Sequence, residues 1–201
     1  MKQCTFTLTG TTPIAFSAMI QSKKNTGESH EAYEERTWRE RAHVKHEYTG
    51  DLKDPDAHVV VINPFAIKNM LQDCARFLSE SVPGKGKATF TKHFKAGIFI
   101  DSPPVLLPRC TRDDITGWTH SVSSTGESGG GKRVTKTFPR FFNWSINGQI
   151  FVLDPMLCDK TDKIEEYLVH AGKFIGIGSF RPLNGGTYGR FTVSNFATAE
   201  A

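Results

Sequence analysis

Cysteine is scarce in this chain and scattered. The four cysteines, Cys4, Cys74, Cys110 and Cys158, lie far apart and include no Cys-x-x-Cys pair. That spacing argues against a structural zinc site and against a disulfide framework. Cys74 falls on the apolar face of an expected helix and reads as a small core residue. Long apolar runs are also missing. No stretch reaches the roughly 18 apolar residues of a membrane span, and Met1-Lys2-Gln3-Cys4-Thr5 lacks the apolar centre of a secretion signal. A soluble, cytoplasmic protein is expected. Catalytic signatures are absent in turn: there is no Gly-x-Ser-x-Gly elbow, no Walker A spacing and no carboxylate-rich motif of a two-metal nuclease.

What remains is the composition of a globular domain rich in phenylalanine. With 201 residues the chain suits one domain, 1–201, carrying insertions near 17–57 and 102–137. The net charge of +4 permits binding to a polyanion without demanding it. The distribution says more than the total. Acidic residues gather in 28–47 and 159–166, whereas Lys85–Lys95, Lys132–Arg140 and Gly176–Arg190 contain no Asp or Glu.

Periodicity gives the order of elements. Cys4, Phe6 and Leu8 alternate with threonines, which predicts a strand over Cys4–Phe16. His30–Tyr48 is a charged excursion anchored by Tyr33, Trp38 and Val44, and His58–Ile62 is a short β-branched strand. Asn63-Pro64 reads as an N-cap followed by a first-turn proline. The helix behind it carries Ile67, Met70, Leu71, Cys74 and Leu78 and is expected to stop at Pro83-Gly84. Gly97–Asp101 returns to strand, a loop holds Trp118, and Ser121–Lys132 is a Ser/Gly-rich, mobile stretch. Phe138–Leu153 is expected to be a hairpin turning at Asn147-Gly148. A second helix over Thr161–Phe174 and a closing strand over Thr187–Phe196 complete the chain. The order strand, helix, strand, strand, helix, strand predicts an α+β ferredoxin-like (RRM-like) fold. Such a fold is a four-stranded antiparallel sheet with two helices on one face.

Three segments carry candidate chemistry. In the last loop, Gly176, Gly178, Gly185, Gly186 and Gly189 accompany Arg181, Arg190, Phe180 and Tyr188. Glycine lets backbone amides approach an anion, arginines meet phosphates, and aromatic rings stack on bases. The glycines follow a helix and precede a strand, the reverse of a dinucleotide fingerprint. The plainer reading is a long glycine-shaped turn with no ligand. In the second segment Lys85, Lys87, Lys92, His93 and Lys95 interleave with Phe90 and Phe94. It suits a phosphate-tracking groove, or else a solvated strand with both phenylalanines in the core. The third segment, with Lys132, Arg133, Lys136 and Arg140, is a basic arm able to order on a polyanion, or an ordinary surface loop. Glu34–Arg41, where Arg36, Arg39 and Arg41 alternate with Glu34, Glu35 and Glu40 around Trp38, reads as a salt-bridged structural segment.

The helix leading into a Gly-x-Gly…Gly-Gly-x-x-Gly loop, built on Gly176, Gly178, Gly185, Gly186 and Gly189, resembles the RAMP superfamily. These are the RNA-binding proteins of CRISPR effector complexes. The likeness covers roughly the last forty residues in motif and the rest in element order. It implies a ferredoxin-like fold, binding to a nucleic-acid backbone, possible side-by-side assembly along the strand, and a basic arm that protrudes toward the nucleic acid or a neighbouring subunit. Glu35-Arg36-Thr37-Trp38-Arg39 and Thr89-Phe90-Thr91-Lys92-His93-Phe94 are similar to segments of small phage proteins, which implies a stand-alone role in the host-cell cytoplasm.

The expected function is non-enzymatic binding of single-stranded DNA or RNA, with no cofactor, metal or membrane. Two alternatives stand beside it. One is a phage-encoded interaction protein that binds or mimics a CRISPR effector component. The other is a ribonuclease using His93 as general base. His43 and His46, with Glu40, have helical spacing that can suit a metal, although surface decoration is the plainer account.

Overall fold

In the computed structural model of the chain, residues 1–123 and 133–201 are described. Among these residues two antiparallel sheets are built from eight strands. The larger contains β1 (Lys2–Gly10), β3 (Ile98–Phe99), β4 (Leu106–Leu107), β7 (Ser145–Val152) and β8 (Phe191–Glu200), ordered β3-β7-β1-β8 with β4 also on β7. The smaller runs β2 (Ile14–Ala15), β6 (Arg133–Phe141), β5 (Thr116–Ser123).

The core forms where the sheet's alternation meets two amphipathic helices. Cys4, Phe6 and Leu8 of β1 and Ile146, Ile150 and Val152 of β7 are buried on one face. Over them lies α3 (Pro64–Leu78), whose Ile67, Met70, Leu71 and Cys74 form the expected stripe. Asn63 caps it, its side chain accepting from the Phe65 amide at 2.9 Å. The helix stops earlier than Pro83-Gly84, because Ser79 turns left-handed (φ 51°) and its amide closes on Ala75. The second helix, α6 (Thr161–His170), contributes Ile164, Tyr167 and Leu168. It continues as a π-helical turn over Ala171–Ile175, so the helical segment reaches the expected end at Phe174 with a change of winding. That turn presses Gly172 onto the Phe191 carbonyl of β8, where a Cβ would overlap the oxygen.

The expected Phe138–Leu153 hairpin does not exist. Asn147 and Gly148 lie inside β7, paired with Thr7 and Phe6, and the strands on either side of 142–144 belong to different sheets. Gly148 serves a packing need: the Phe6 ring occupies the space a Cβ would take. The real hairpin is β5–β6, with Trp118 opposite Phe138 inside a strand rather than a loop. The stretch expected to be mobile lies outside the described residues from 124 to 132, and Ser121–Ser123 complete β5.

The charged excursion folds as α1 (His30–Thr37), a 3-10 turn over Trp38–Arg41, and α2 (His46–Thr49). The remaining short helices are α4 (Thr91–Ala96) and α5 (Pro155–Cys158). In α4 Phe90 and Phe94 are fully buried, Phe94 stacking on Tyr167 with ring centroids 4.7 Å apart. The plainer reading of those two phenylalanines therefore holds, although the segment is helical rather than a strand. His93 faces inward too: its Nδ1 donates to Asp154 Oδ2 at 2.7 Å, and Nε2 is enclosed with no hydrogen-bond partner. Asp154 also caps α5, accepting from the Met156 amide. All four cysteines are free, and burial raises the Cys74 thiol to about 12.

Burial alone would raise the Asp154 carboxyl, but the His93 hydrogen bond and charge and the amides of Met156 and Leu157 hold it below its ordinary value. A carboxylate with a depressed folded pKa adds stability that is complete above the unfolded value and lost as pH falls through the folded one. Stability measured by urea denaturation should therefore fall below about pH 4. Asp154→Ala should flatten that acid limb while lowering stability at neutral pH.

Candidate nucleic-acid interface

An open groove of about 1710 Å³ runs between the glycine loop, the β5–β6 hairpin, and the extended segment after β2 with α1 behind it. It is also lined by Asn63, Ala66 and Asn69 at the start of α3. Small-molecule pockets usually enclose ~300–1,000 Å³, so this groove suits an extended ligand.

One wall depends on the outer edge of β6. Along that edge every second residue is satisfied by a different element. Ile14 of β2 pairs with Phe141, and the Phe16 amide donates to the Pro139 carbonyl at 3.2 Å. Next, Glu34 Oε1 accepts from the Thr137 amide at 2.6 Å, while Arg41 donates to the Thr137 carbonyl at 3.1 Å. Last, His30 Nε2 lies 3.3 Å from the Thr135 carbonyl. Glu34 and Arg41 are themselves joined by two hydrogen bonds of 2.8 and 3.0 Å, and both are buried. The pair thus replaces a missing strand and supplies the partners that the half-buried Thr137 backbone requires. The expected salt-bridged role of this segment holds, with one change. The structural pair spans seven residues, because the 3-10 turn brings Arg41 back over Glu34. Arg36 instead meets Glu28, and Arg39 lies over the Trp38 ring at 4.3 Å.

The opposite wall is the glycine loop. Gly178 and Gly189 both have positive φ, 82° and 72°, and at each a Cβ would collide with backbone: the Ala15 carbonyl at Gly178 and the Ile177 carbonyl at Gly189. The loop's amides are largely spent inside the protein. Ile177 donates to Gly189, Gly189 to Pro13, Ser179 to Ala15, Tyr188 to Phe180 and Gly186 to Arg181, all at 2.7–3.1 Å. The expected cradle of anion-binding amides is corrected accordingly: these donors shape the loop.

Phe180 and Tyr188 likewise bind protein first. Phe180, itself at positive φ (57°), is edge-on to Trp118 and Phe138 with centroids 5.1 and 4.9 Å away. Tyr188 packs edge-on to Trp118, and its hydroxyl accepts from Arg140 at 3.1 Å. Arg140 also lies over the Phe142 ring. This aromatic clamp fastens the hairpin to the loop.

Of the expected site residues, Gly178, Phe180, Arg181, Arg133 and Lys136 line the groove. Gly176, Gly185, Gly186, Tyr188, Arg190 and Arg140 shape its walls from behind, Arg190 by donating to the Lys173 carbonyl. Lys85, Lys87, Lys92, His93 and Lys95 are not part of it; they cluster around α4, which packs on α3 and β3. Lys132 lies outside the described residues. Of the three segments with candidate chemistry, two therefore contribute to the groove. Sequence reasoning missed the lining histidines His30 and His120, and weighed His43 only as a metal ligand. The period-two pairing of Trp118 with His120 was the available signal for His120, since the two rings stack at 4.8 Å.

The electrostatics favour an anion. Glu34 is the one carboxylate lining the groove among the described residues, and Arg41 neutralises it. Arg181 is half-committed to Asp73 at 2.8 Å. Burial pushes His43 below its ordinary value despite Glu47, 3.4 Å away. His46 spends its Nδ1 on the Ala57 carbonyl rather than on a metal with His43. Among the described residues no group of three or more His, Cys, Asp or Glu side chains can hold a metal ion. No helix among them is long and apolar enough to cross a membrane.

Two substitutions test this construction. Glu34→Ala leaves Arg41 buried without its partner and should cost about 3–5 kcal/mol in urea denaturation. Gly189→Ala combines positive φ with a backbone collision and should cost more than ~1 kcal/mol, which a lowered Tm would report. Neither a protein-family model nor a curated protein sequence matches the chain, so the functional reading rests on this geometry.

Proposed function

We propose that this protein binds single-stranded nucleic acid along the groove, as a non-enzymatic module with a ferredoxin-like core. The strand order β3-β7-β1-β8 supports that core, with α3 following β1 and α6 following β7 in the chain. The smaller sheet and α1 are then insertions that build one wall of the site. Relation to the RAMP superfamily belongs to the same proposal, carried by the glycine loop after α6 and by this order.

One observation carries the binding reading. A groove of about 1710 Å³ is lined by Arg133, Lys136 and Arg181, and its single described carboxylate is already neutralised. Phosphates meet those cations, and exposed His120, stacked on Trp118, offers a ring to a base. His93 gives the ribonuclease alternative no support, because its free nitrogen is enclosed and it lies outside the groove. A general base must reach the proton it removes.

Titration of fluorescent oligo-dT and oligo-U at several salt concentrations tests the reading. With about three phosphates neutralised, log K should fall with log salt at a slope near −2. The double variant Arg133→Glu, Lys136→Glu should bind at least tenfold more weakly at unchanged Tm. Salt-insensitive binding, or none in folded protein, would overturn the proposal. Capture of a host effector protein without oligonucleotide affinity would favour the interaction-protein alternative.

A further inference from the structure

Two rings, Phe77 and Phe174, stand exposed on the helical side, outside the groove, with the half-buried His170 beside them. Phe77 of α3 stacks on Phe174 of the π-helical turn, with centroids 5.7 Å apart and planes within 24°. Phe174 in turn stacks on His170, at 6.1 Å and 20°. Phe77 is 55% and Phe174 47% exposed. A buried role does not account for either ring. Burying a phenylalanine is worth roughly 1.5–3 kcal/mol, and both residues forgo much of that gain.

Their position links them to the groove. Asn69, Asp73 and Phe77 follow at intervals of four on one face of α3. Asn69 lines the groove, and Asp73 binds Arg181, which also lines it. Phe77 stands one turn further on, about 12 Å from Asn69 along the axis. The surface between is cationic. Asp73 sits between two guanidiniums, Arg181 at 2.8 Å and Arg76 at 3.1 Å. Arg76 is 63% exposed, and Lys173, next to Phe174, is exposed as well. On the other side Glu166, one turn before His170, is paired with Lys163; stacked rings with cations toward the groove are the chemistry of a base-stacking platform beside a phosphate track.

We infer that the His170–Phe174–Phe77 ladder is a second contact for the same strand, stacking unpaired bases that leave the groove past Arg181 and Arg76. The inference rests on the proposed groove function and extends it. It makes affinity depend on strand length, because only a strand that fills the groove and continues along α3 reaches the rings. A protein partner, including a second copy of the chain, is the competing occupant; the cationic rim and continuity with the groove favour the strand.

The test compares oligo-dT of about 5 and about 15 nucleotides, lengths spanning the usual site sizes of single-strand binders. Affinity is measured for wild type, Phe77→Ala/Phe174→Ala and Phe77→Leu/Phe174→Leu, with circular dichroism as the check on folding. The leucine pair keeps apolar bulk and removes the rings. The expected result is tighter binding of the long oligonucleotide by wild type. Both double variants should lose about tenfold of that long-strand affinity, equivalent to ~1.4 kcal/mol, with short-strand affinity unchanged. Unchanged long-strand affinity in the folded variants would overturn this inference while leaving the groove intact. So would a change confined to self-association in sedimentation. If wild type binds neither length, the groove reading itself fails and takes this inference with it.

Discussion

The unpaired edge of β6 is the constraint on which the site depends. Because β2 is only two residues long, most of that edge has no neighbouring strand. An exposed row of amides and carbonyls invites pairing with another chain, and a buried row is costly. The chain answers with three different devices: the Phe16 amide, the Glu34–Arg41 pair, and His30. Proline sits on this outer edge, where its missing donor leaves no gap in the hairpin ladder: Pro139 faces Gly117 across the hairpin and gives its carbonyl to the Phe16 amide. The arrangement fixes α1 beside the hairpin and thereby encloses the groove.

The second fixed point is the aromatic clamp between hairpin and loop. Phe180 and Tyr188 hold Trp118 and Phe138, and the loop's amides hold its own path and the chain around β2. Both walls of the groove are thus made rigid by interactions that consume the residues most suggestive of ligand binding. What the groove offers a ligand is what these contacts leave over: the cations of β6, part of Arg181, and the outward ring of His120. That division of labour is why electrostatics rather than amide geometry carries the functional proposal.

The core was readable from sequence because burial there follows simple periods. The α3 stripe, the Asn63 cap and the alternation of Cys4, Phe6 and Leu8 needed only side-chain spacing and are present, although the first strand, expected to reach Phe16, ends at Gly10 and Ile14–Ala15 pair in the other sheet. The Phe138–Leu153 hairpin failed because Asn147-Gly148 answers a different demand. Gly148 is there for the Phe6 ring, and no turn statistic can separate that need from a turn. The lysine segment failed for a related reason. Lys85, Lys87, Lys92 and Lys95 look like a phosphate track, but their placement follows from Phe90 and Phe94 entering the core beside Tyr167. The groove itself was half legible. Its cations and glycines were visible in the chain, while Glu34, Arg41 and His30 join it only through a turn whose geometry the spacing does not reveal.

Photo-crosslinking of a thymidine-analogue oligonucleotide, followed by peptide mapping, tests the central claim most directly. The account predicts adducts on peptides from β6 and from the loop between Gly176 and Arg190. Adducts confined to the segment between Lys85 and Lys95, which lines no part of the groove, would contradict it.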